Sequence, residues 1–246
     1  MKRVKLIVAY DGTNYHGWQT QPNAVTIEEV LNHHLSELLK EEIKVIGASR
    51  TDAGVHALGN VAVFDTSARM PADKISYALN TRMPEDIRIQ DSCEVPSDFH
   101  PRFQKTTKTY EYRILNRRFP DPTRRLNSFF YYYPLDVVKM QEASLYLVGE
   151  HDFKSFCTEK PEVTNTVRTI YSLNVIKEGD IIIIRVTGNG FLYNMVRIIS
   201  GTLIEVGNGQ YPPERVKTIL EACNREMAGP TAPAQGLTLM GIEFFD

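Results

Sequence analysis

Apolar and polar residues alternate at the start of the chain. Val4, Leu6, Val8 and Tyr10 fall on one side of that alternation, which predicts a half-buried strand. A polar loop rich in aromatics follows, from Asp11 to Pro22. Thr26 then precedes an apolar run and has Glu29 three residues on, a capping box that predicts a helix start. Ile27, Leu31, Leu35 and Leu38 supply its apolar face. Strands are expected over 43–49 and 59–65, then a second helix from Pro71 to about Arg82, then a fourth strand around Ile87 and Ile89. That order is β-α-β-β-α-β, the ferredoxin-like arrangement.

The second half repeats the order loosely, without a sequence repeat. Strands fit 106–116 and 127–133, and a helix fits 135–148. Strands fit 166–177 and 180–187, with Lys177-Glu-Gly-Asp180 as their hairpin. Helices fit 191–206 and 212–223, and a last strand fits 237–245. The expected fold class is α+β, in two halves, 1–104 and 105–246. They would join near residues 97–105 and leave a cleft, and such junctions are favoured ligand sites.

Composition narrows the class. The chain has 246 residues, 42% hydrophobic and 24% charged, as in an ordinary globular protein. The opening Met-Lys-Arg-Val-Lys-Leu runs charges into a strand pattern, unlike a signal peptide. The most apolar stretch, Ile181 to Val206, is broken by Arg185, by Gly188-Asn-Gly190 and by Arg197, so no membrane span is expected. Cys93, Cys157 and Cys223 lie far apart, which argues against a disulfide framework or a metal knuckle. A cytoplasmic location is the simplest reading.

Net charge is −2, but it is unevenly spread. Residues 102–125 hold Arg102, Lys105, Lys108, Arg113, Arg117, Arg118, Arg124 and Arg125 against only Glu111 and Asp121. The stretch is +6 in a chain that is otherwise −8. Such a stretch suits a salt-sensitive grip on RNA phosphates. It equally suits a solvated strand pair with charged ends.

The densest chemical signal is Gly47-Ala-Ser-Arg-Thr-Asp-Ala-Gly-Val-His-Ala57, between two expected strands. Arg50, Thr51, Asp52 and His56 are set among small residues, where backbone and ligand can approach closely. Taken alone, Asp52 and Gly54 also fit a plain turn. A second signal is Arg197, inside the largely apolar run Phe191-Leu-Tyr-Asn-Met-Val-Arg-Ile-Ile-Ser-Gly-Thr-Leu203. Its guanidinium must reach water or find an anion. Asp52 is a suitable partner, which would keep that carboxylate ionised and oriented. A third signal is Lys108-Thr-Tyr-Glu-Tyr-Arg113, where Tyr110 and Tyr112 share a strand face. A tyrosine there offers a flat surface for a base, and Tyr112 reads as an ordinary sheet residue.

Two other patterns fail. Gly188-Asn-Gly190 has Tyr193 where a dinucleotide fingerprint needs its third glycine. The six histidines show no metal spacing, and His33 and His34, adjacent on a helix, are expected to diverge. His56 fits either an RNA contact or a structural role.

Arg50-Thr-Asp-Ala-Gly-Val-His-Ala57 resembles the active-site motif of the tRNA pseudouridine synthase A family. Tyr10-Asp-Gly-Thr-Asn-Tyr-His-Gly-Trp-Gln19 is similar to that family's opening, Asn194-Met-Val-Arg197 with Gly201-Thr-Leu203 to its later helix, and Thr231-Ala-Pro-Ala-Gln-Gly-Leu-Thr-Leu239 to its closing strand. The resemblance spans essentially the whole chain. It implies a pseudouridine synthase fold, with two pseudo-symmetric halves, an extended, mainly antiparallel sheet and a central basic cleft. It implies a homodimer that holds tRNA by the anticodon stem-loop, where uridines at nucleotides 38–40 are modified. It implies no metal and no organic cofactor. Residue by residue, it gives Asp52 the role of the essential aspartate, Arg197 that of its ion-pair partner and Tyr110 that of the tyrosine stacked on the target base. Arg50 corresponds to the arginine that helps displace the base, and Leu237 to a residue lining the uracil pocket.

This chemistry suits the residues. The isomerisation exchanges an N1–C1′ bond for a C5–C1′ bond and needs no external oxidant, reductant or phosphate donor. Extruding the base costs a few kcal/mol. A tyrosine face returns roughly 1–3 kcal/mol of stacking. Glycosidases that release their sugar to water use two carboxylates. One candidate carboxylate fits a base that is kept and reattached. Whether it attacks C1′, attacks C6 or takes a sugar proton stays open. Two other readings stay in play. A tRNA-binding protein without catalysis would need neither Asp52 nor Arg197. A nucleotide enzyme using Asp52 for magnesium would need further carboxylates, which the motif lacks.

Overall fold

A computed structural model describes residues 1–158 and 165–245. Among them the chain forms ten strands and five α-helices, an α+β fold. It divides into two compact units, one of Met1–Thr106 with the residues from Leu239 on, the other Thr107–Thr238.

The first unit follows the expected order: β1 (Lys2–Tyr10), α1 (Ile27–Leu39), β2 (Ile46–Gly47), β3 (His56–Thr66), α2 (Ala72–Asn80) and β4 (Ile87–Val95). The closing strand β10 (Leu237–Phe245) returns to it from Leu239 on. Neighbours run β4-β1-β3-β10, with β2 also on β3. β1 is antiparallel to β3 and to β4. Arg3 lies opposite Asp65 across that pairing and grips it with two parallel hydrogen bonds, Nε to Oδ1 at 2.8 Å and Nη2 to Oδ2 at 2.7 Å. The inward side chains Val4, Leu6 and Val8 form one core with Ile27, Leu31 and Leu35 of α1, Ile75 and Leu79 of α2, and Ile87. Each such fully buried aliphatic side chain contributes about 1.5–3 kcal/mol.

Local chemistry moves some expected boundaries. Thr26 does cap α1, its side chain accepting from Glu29 N. The helix buries Leu39 and not Leu38, because its core positions step by four from Ile27. The strand expected over 43–49 shrinks to two residues. The Ile43 amide donates to Ser36 Oγ at 2.9 Å and the Val45 amide to Asn32 Oδ1 at 2.8 Å, so α1 takes donors that a longer β2 would need. His33 and His34 do not diverge as expected. Glu37 lies four residues from one and three from the other, and a ring nitrogen of each histidine and a Glu37 carboxylate oxygen come within 4.8 Å of one another, with His34 half-buried and the other two exposed.

The second unit holds β5 (Lys105–Asn116, from Thr107 on), β6 (Phe129–Tyr131), α3 (Val137–Leu145), β7 (Gly149–Asp152), β8 (Val167–Glu178), β9 (Ile181–Gly188), α4 (Met195–Gly207) and α5 (Arg215–Ala222). Neighbours run β5-β9-β8-β7, antiparallel throughout, while β6 is parallel to β5. The hairpin between β8 and β9 turns at Gly179-Asp180, within the expected segment, while Lys177 and Glu178 still pair with β9. Helix α4 starts at Met195, four residues later than expected, because Asn194 is left-handed at φ 61°. It is buried along nearly its whole length. No helix among the described residues is long and apolar enough to cross a membrane.

Candidate active site

The loop that carries Asp52 joins β2 to β3. The β1–β3 register shifts beside it: Val8 faces Asn60 but Tyr10 faces Ala57, so β3 carries one extra residue near Leu58-Gly59. A bulge of this kind bends the strand end and re-aims the side chains next to it.

Several side chains brace the loop from below. The hydroxyls of Tyr10 and Thr51 lie 2.8 Å apart. Asn60, fully buried in β3, donates from Nδ2 to the Tyr10 oxygen at 3.2 Å and to the Ser49 carbonyl at 3.0 Å. The backbone is tied on the other side to the segment after β1. Trp18 N donates to Thr51 O at 3.0 Å, Gly54 N to Tyr15 O at 3.2 Å, and Val55 N closes a turn on Asp52 O at 3.1 Å. Gly17 makes the approach possible. Its φ is +89°, and a Cβ there would lie 2.6 Å from the Thr51 carbonyl oxygen. Asp52 itself is half-buried and Arg50 is exposed, with Nη1 donating to Gln19 Oε1 at 3.3 Å.

Titratable groups stand around this base. Tyr15 donates its hydroxyl to Asp86 Oδ1 at 2.6 Å, and burial, with that carboxylate, raises its pKa well above the tyrosine range. Burial alone would push the Asp11 carboxyl up. The hydroxyl and amide of Thr13, with His56 beyond them, outweigh it and hold Asp11 below its ordinary value. His56 Nδ1 lies 3.1 Å from the Gly12 amide and 3.1 Å from Asp11 Oδ1. Both contacts tie His56, at the head of β3, to the segment after β1.

In the second unit, Tyr110 and Tyr112 share one face of β5, as expected, and both are buried. The Tyr110 ring meets Phe191 edge-on at 5.3 Å between centroids. Tyr112 donates its hydroxyl to the Pro233 carbonyl at 2.8 Å, and burial drives its pKa far above the usual range against the opposing charge of Arg197. Arg197, half-buried on the first turn of α4, donates from Nε to Ala232 O at 2.8 Å and from Nη1 to Asn194 Oδ1 at 2.9 Å. The Ala232 amide returns a bond to Arg197 O at 3.1 Å. The guanidinium thus holds the segment leading to Leu237, which is buried at the head of β10. Arg50 and Asp52 belong to the first unit, Tyr110 and Arg197 to the second.

The Tyr10–Thr51–Asn60 brace was not foreseen from the sequence. Its signal was present, since Asn60 interrupts an apolar strand at a position that alternation assigns to the core.

Similar proteins agree on one family. A family model described as tRNA pseudouridine synthase matches residues 6–104 and 143–244. A tRNA pseudouridine synthase A of Thermoanaerobacter sp. (strain X514) is 48% identical over 242 residues, covering 98% of this chain and 99% of that one. Those of Brevibacillus brevis and Ruminiclostridium cellulolyticum are 48% and 49% identical, each covering 99% of this chain and 100% of its own. The chain belongs to the tRNA pseudouridine synthase family.

Proposed function

We propose that the protein isomerises uridine to pseudouridine at positions 38–40 of the tRNA anticodon stem-loop, with Asp52 as its catalytic carboxylate. Family membership carries the isomerisation of uridine in tRNA. The observation that carries the role of Asp52 is its loop: Ser49, Thr51, Gly54 and Val55 around it are each tied by a hydrogen bond within the first unit. A fixed carboxylate loses little orientation when a substrate arrives, which is the condition for positional catalysis.

In this reading the target uridine leaves its stack and lies against Tyr110. Arg50 helps displace it, and Leu237 lines the uracil pocket. Arg197 pairs with Asp52 and keeps it ionised. The carboxylate acts while the N1–C1′ bond breaks and the C5–C1′ bond forms. The C5 proton is released to solvent and N1 ends protonated, so atoms and electrons balance without a co-reactant. No step requires a metal or an organic cofactor. The working form in this reading is a cytoplasmic homodimer.

The test is tritium release from tRNA carrying [5-³H]uridine, with wild type and Asp52→Asn side by side. Release by the wild type alone, with tRNA binding kept by the variant, is expected. Release by both removes Asp52 from the mechanism. Release by neither, with binding intact, favours a tRNA-binding protein without catalysis.

A further inference from the structure

The reaction leaves one charged element without a role, the segment between β5 and β6. Residues 117–127 are exposed except for half-buried Asp121, and they include Arg117, Arg118, Arg124 and Arg125. The other side chains of the basic stretch include two with work inside the fold. Arg102 donates from Nε to the Gly47 carbonyl at 2.8 Å, and Arg113 pairs with the buried Glu111 at 2.9 Å.

The loop arginines are differently placed. Arg117 lies 3.4 Å from Asp180, and Arg124 lies 3.7 Å from Asp121. Ion pairs in such exposed positions contribute little and exchange readily for another anion. Neither Arg118 nor Arg125 has a carboxylate partner among the described residues. The Arg118 guanidinium instead stacks over the Phe119 ring, 5.0 Å from its centroid, and that ring is 61% exposed.

The loop is nevertheless held in shape, largely by groups other than the guanidinium heads. Asp121 Oδ1 accepts from Thr123 N at 2.9 Å and Thr123 Oγ1 at 2.7 Å. Ser128 Oγ donates to Arg124 O at 2.8 Å, and Asn127 N to the same carbonyl at 3.2 Å. Pro120 and Pro122 fix two backbone angles. Two heads also touch this frame, Arg125 through Nη1 to Pro122 O at 3.0 Å and Arg124 through its ion pair with Asp121. A pre-shaped loop presenting guanidinium forks and an exposed aromatic ring has the chemistry that grips phosphates and stacks on an unpaired base.

We propose that the 117–127 loop is a second RNA-binding element, in which Arg117, Arg118, Arg124 and Arg125 hold backbone phosphates of the substrate tRNA rather than the uridine that reacts. The proposal rests on the reading of tRNA as substrate. Its ligand is the RNA backbone, so its signature is salt dependence and not turnover.

The experiment compares wild type with Arg118→Gln/Arg124→Gln/Arg125→Gln, measuring tRNA affinity by fluorescence anisotropy across a salt series and kcat and KM by tritium release. The salt slope of log affinity is expected to fall by about 2–3 in the triple variant, since each phosphate that is no longer neutralised takes away about 0.9. KM should rise about tenfold near physiological salt, with kcat nearly unchanged. Arg118→Glu alone, which leaves the Asp121 brace and the Pro122 hydrogen bond intact, should lower the slope by about 1. The control Lys139→Gln/Lys217→Gln removes two exposed charges from α3 and α5 and should leave the slope near wild type. An unchanged slope and KM in both loop variants overturns the proposal. So does an equal loss in the control, which would assign the effect to net charge. Weakened self-association in sedimentation with an unchanged RNA slope would make the loop an interface between copies. A wild type that releases no tritium fails the underlying reading instead, visibly and without any loop variant.

Discussion

The hydroxyl of Tyr10, at the end of β1, lies 2.8 Å from that of Thr51, the residue before Asp52. Through Asn60 the same tyrosine is joined to Ser49, so the sheet reaches the loop by two routes. Tyr10→Phe removes one oxygen from this buried network and keeps the ring. A missing hydrogen bond of this kind costs about 1 kcal/mol. In a chain of this size that lowers Tm by about 2–4 °C. If the brace aims Asp52, kcat should fall about tenfold while KM holds, a barrier change near 1.4 kcal/mol. Thermal melts and tritium-release kinetics measure the two effects. A stability loss with wild-type kcat would show the brace to be structural alone.

Gly201 gives a sharper test of packing. It lies mid-way along α4, and a Cβ there would collide with the Pro230 carbonyl oxygen. The neighbouring Thr202 hydroxyl accepts from Gly229 N at 3.0 Å, which fixes the same approach. Gly201→Ala therefore has to push the 228–232 segment off the helix. Overpacking of this kind costs about 1–3 kcal/mol, more than alanine gains by its better helix propensity. A urea midpoint equal to or above wild type would contradict the close approach.

How much of this was legible in the sequence depends on which force set each element. Of the first six elements all but the shortened β2 follow from side-chain periodicity, and their cores lie where it put them except that α1 buries Leu39 in place of Leu38. Helix α4 was equally clear, since eleven of its thirteen residues are buried. What escaped was decided by backbone and polar chemistry between distant positions. Strand β7, Gly149-Glu-His-Asp152, has no apolar alternation and exists through its pairing with β8. Strand β2 is short because two side chains of α1 take its amides. Asp52 and Arg197 could be singled out as charges in small or apolar surroundings. Among their supports only Asn60 left a mark, as a polar residue at a core position of β3; Tyr10, Asn194 and the Ala232 carbonyl are ordinary until the fold brings each to its partner.

Glu111 offers a test in pH. Its side chain is only 1% exposed and lies between Arg113 Nη2 at 2.9 Å and Arg185 Nη2 at 2.5 Å. Burial pushes the carboxyl up, but the two guanidinium groups outweigh it and hold its pKa below the ordinary 4.5. A depressed folded pKa means that the ionised form is favoured by folding. Its contribution is complete above the unfolded value and is lost as pH falls through the folded one. The difference in urea midpoint between wild type and Glu111→Gln should thus be constant near neutrality and shrink below about pH 4.5. A gap that widens on acidification would reverse the assigned direction.

Arg197 is the residue at which fold and reaction should be separable. Its Nε holds Ala232 and its Nη1 holds Asn194, so Arg197→Met gives up two bonds from a charged donor. Bonds of that kind are worth about 1.5–3 kcal/mol each when a charged group takes part. The variant should be destabilised yet folded, because methionine fills the apolar stem's place in α4. Arg197→Lys keeps the positive charge but loses the planar fork that allows the two bonds to diverge from one head. If Arg197 also serves the carboxylate, the methionine variant should lose at least about a hundredfold in kcat, a barrier rise near 2.7 kcal/mol. The lysine variant should recover part of that loss, and both should bind tRNA as wild type does. Three outcomes are then distinct. Equal loss in both variants assigns the effect to the fork and its grip on the 232 segment. Full recovery by lysine assigns it to charge alone. Near-normal turnover in a folded Arg197→Met removes the residue from the mechanism and leaves it as a clamp on the approach to Leu237.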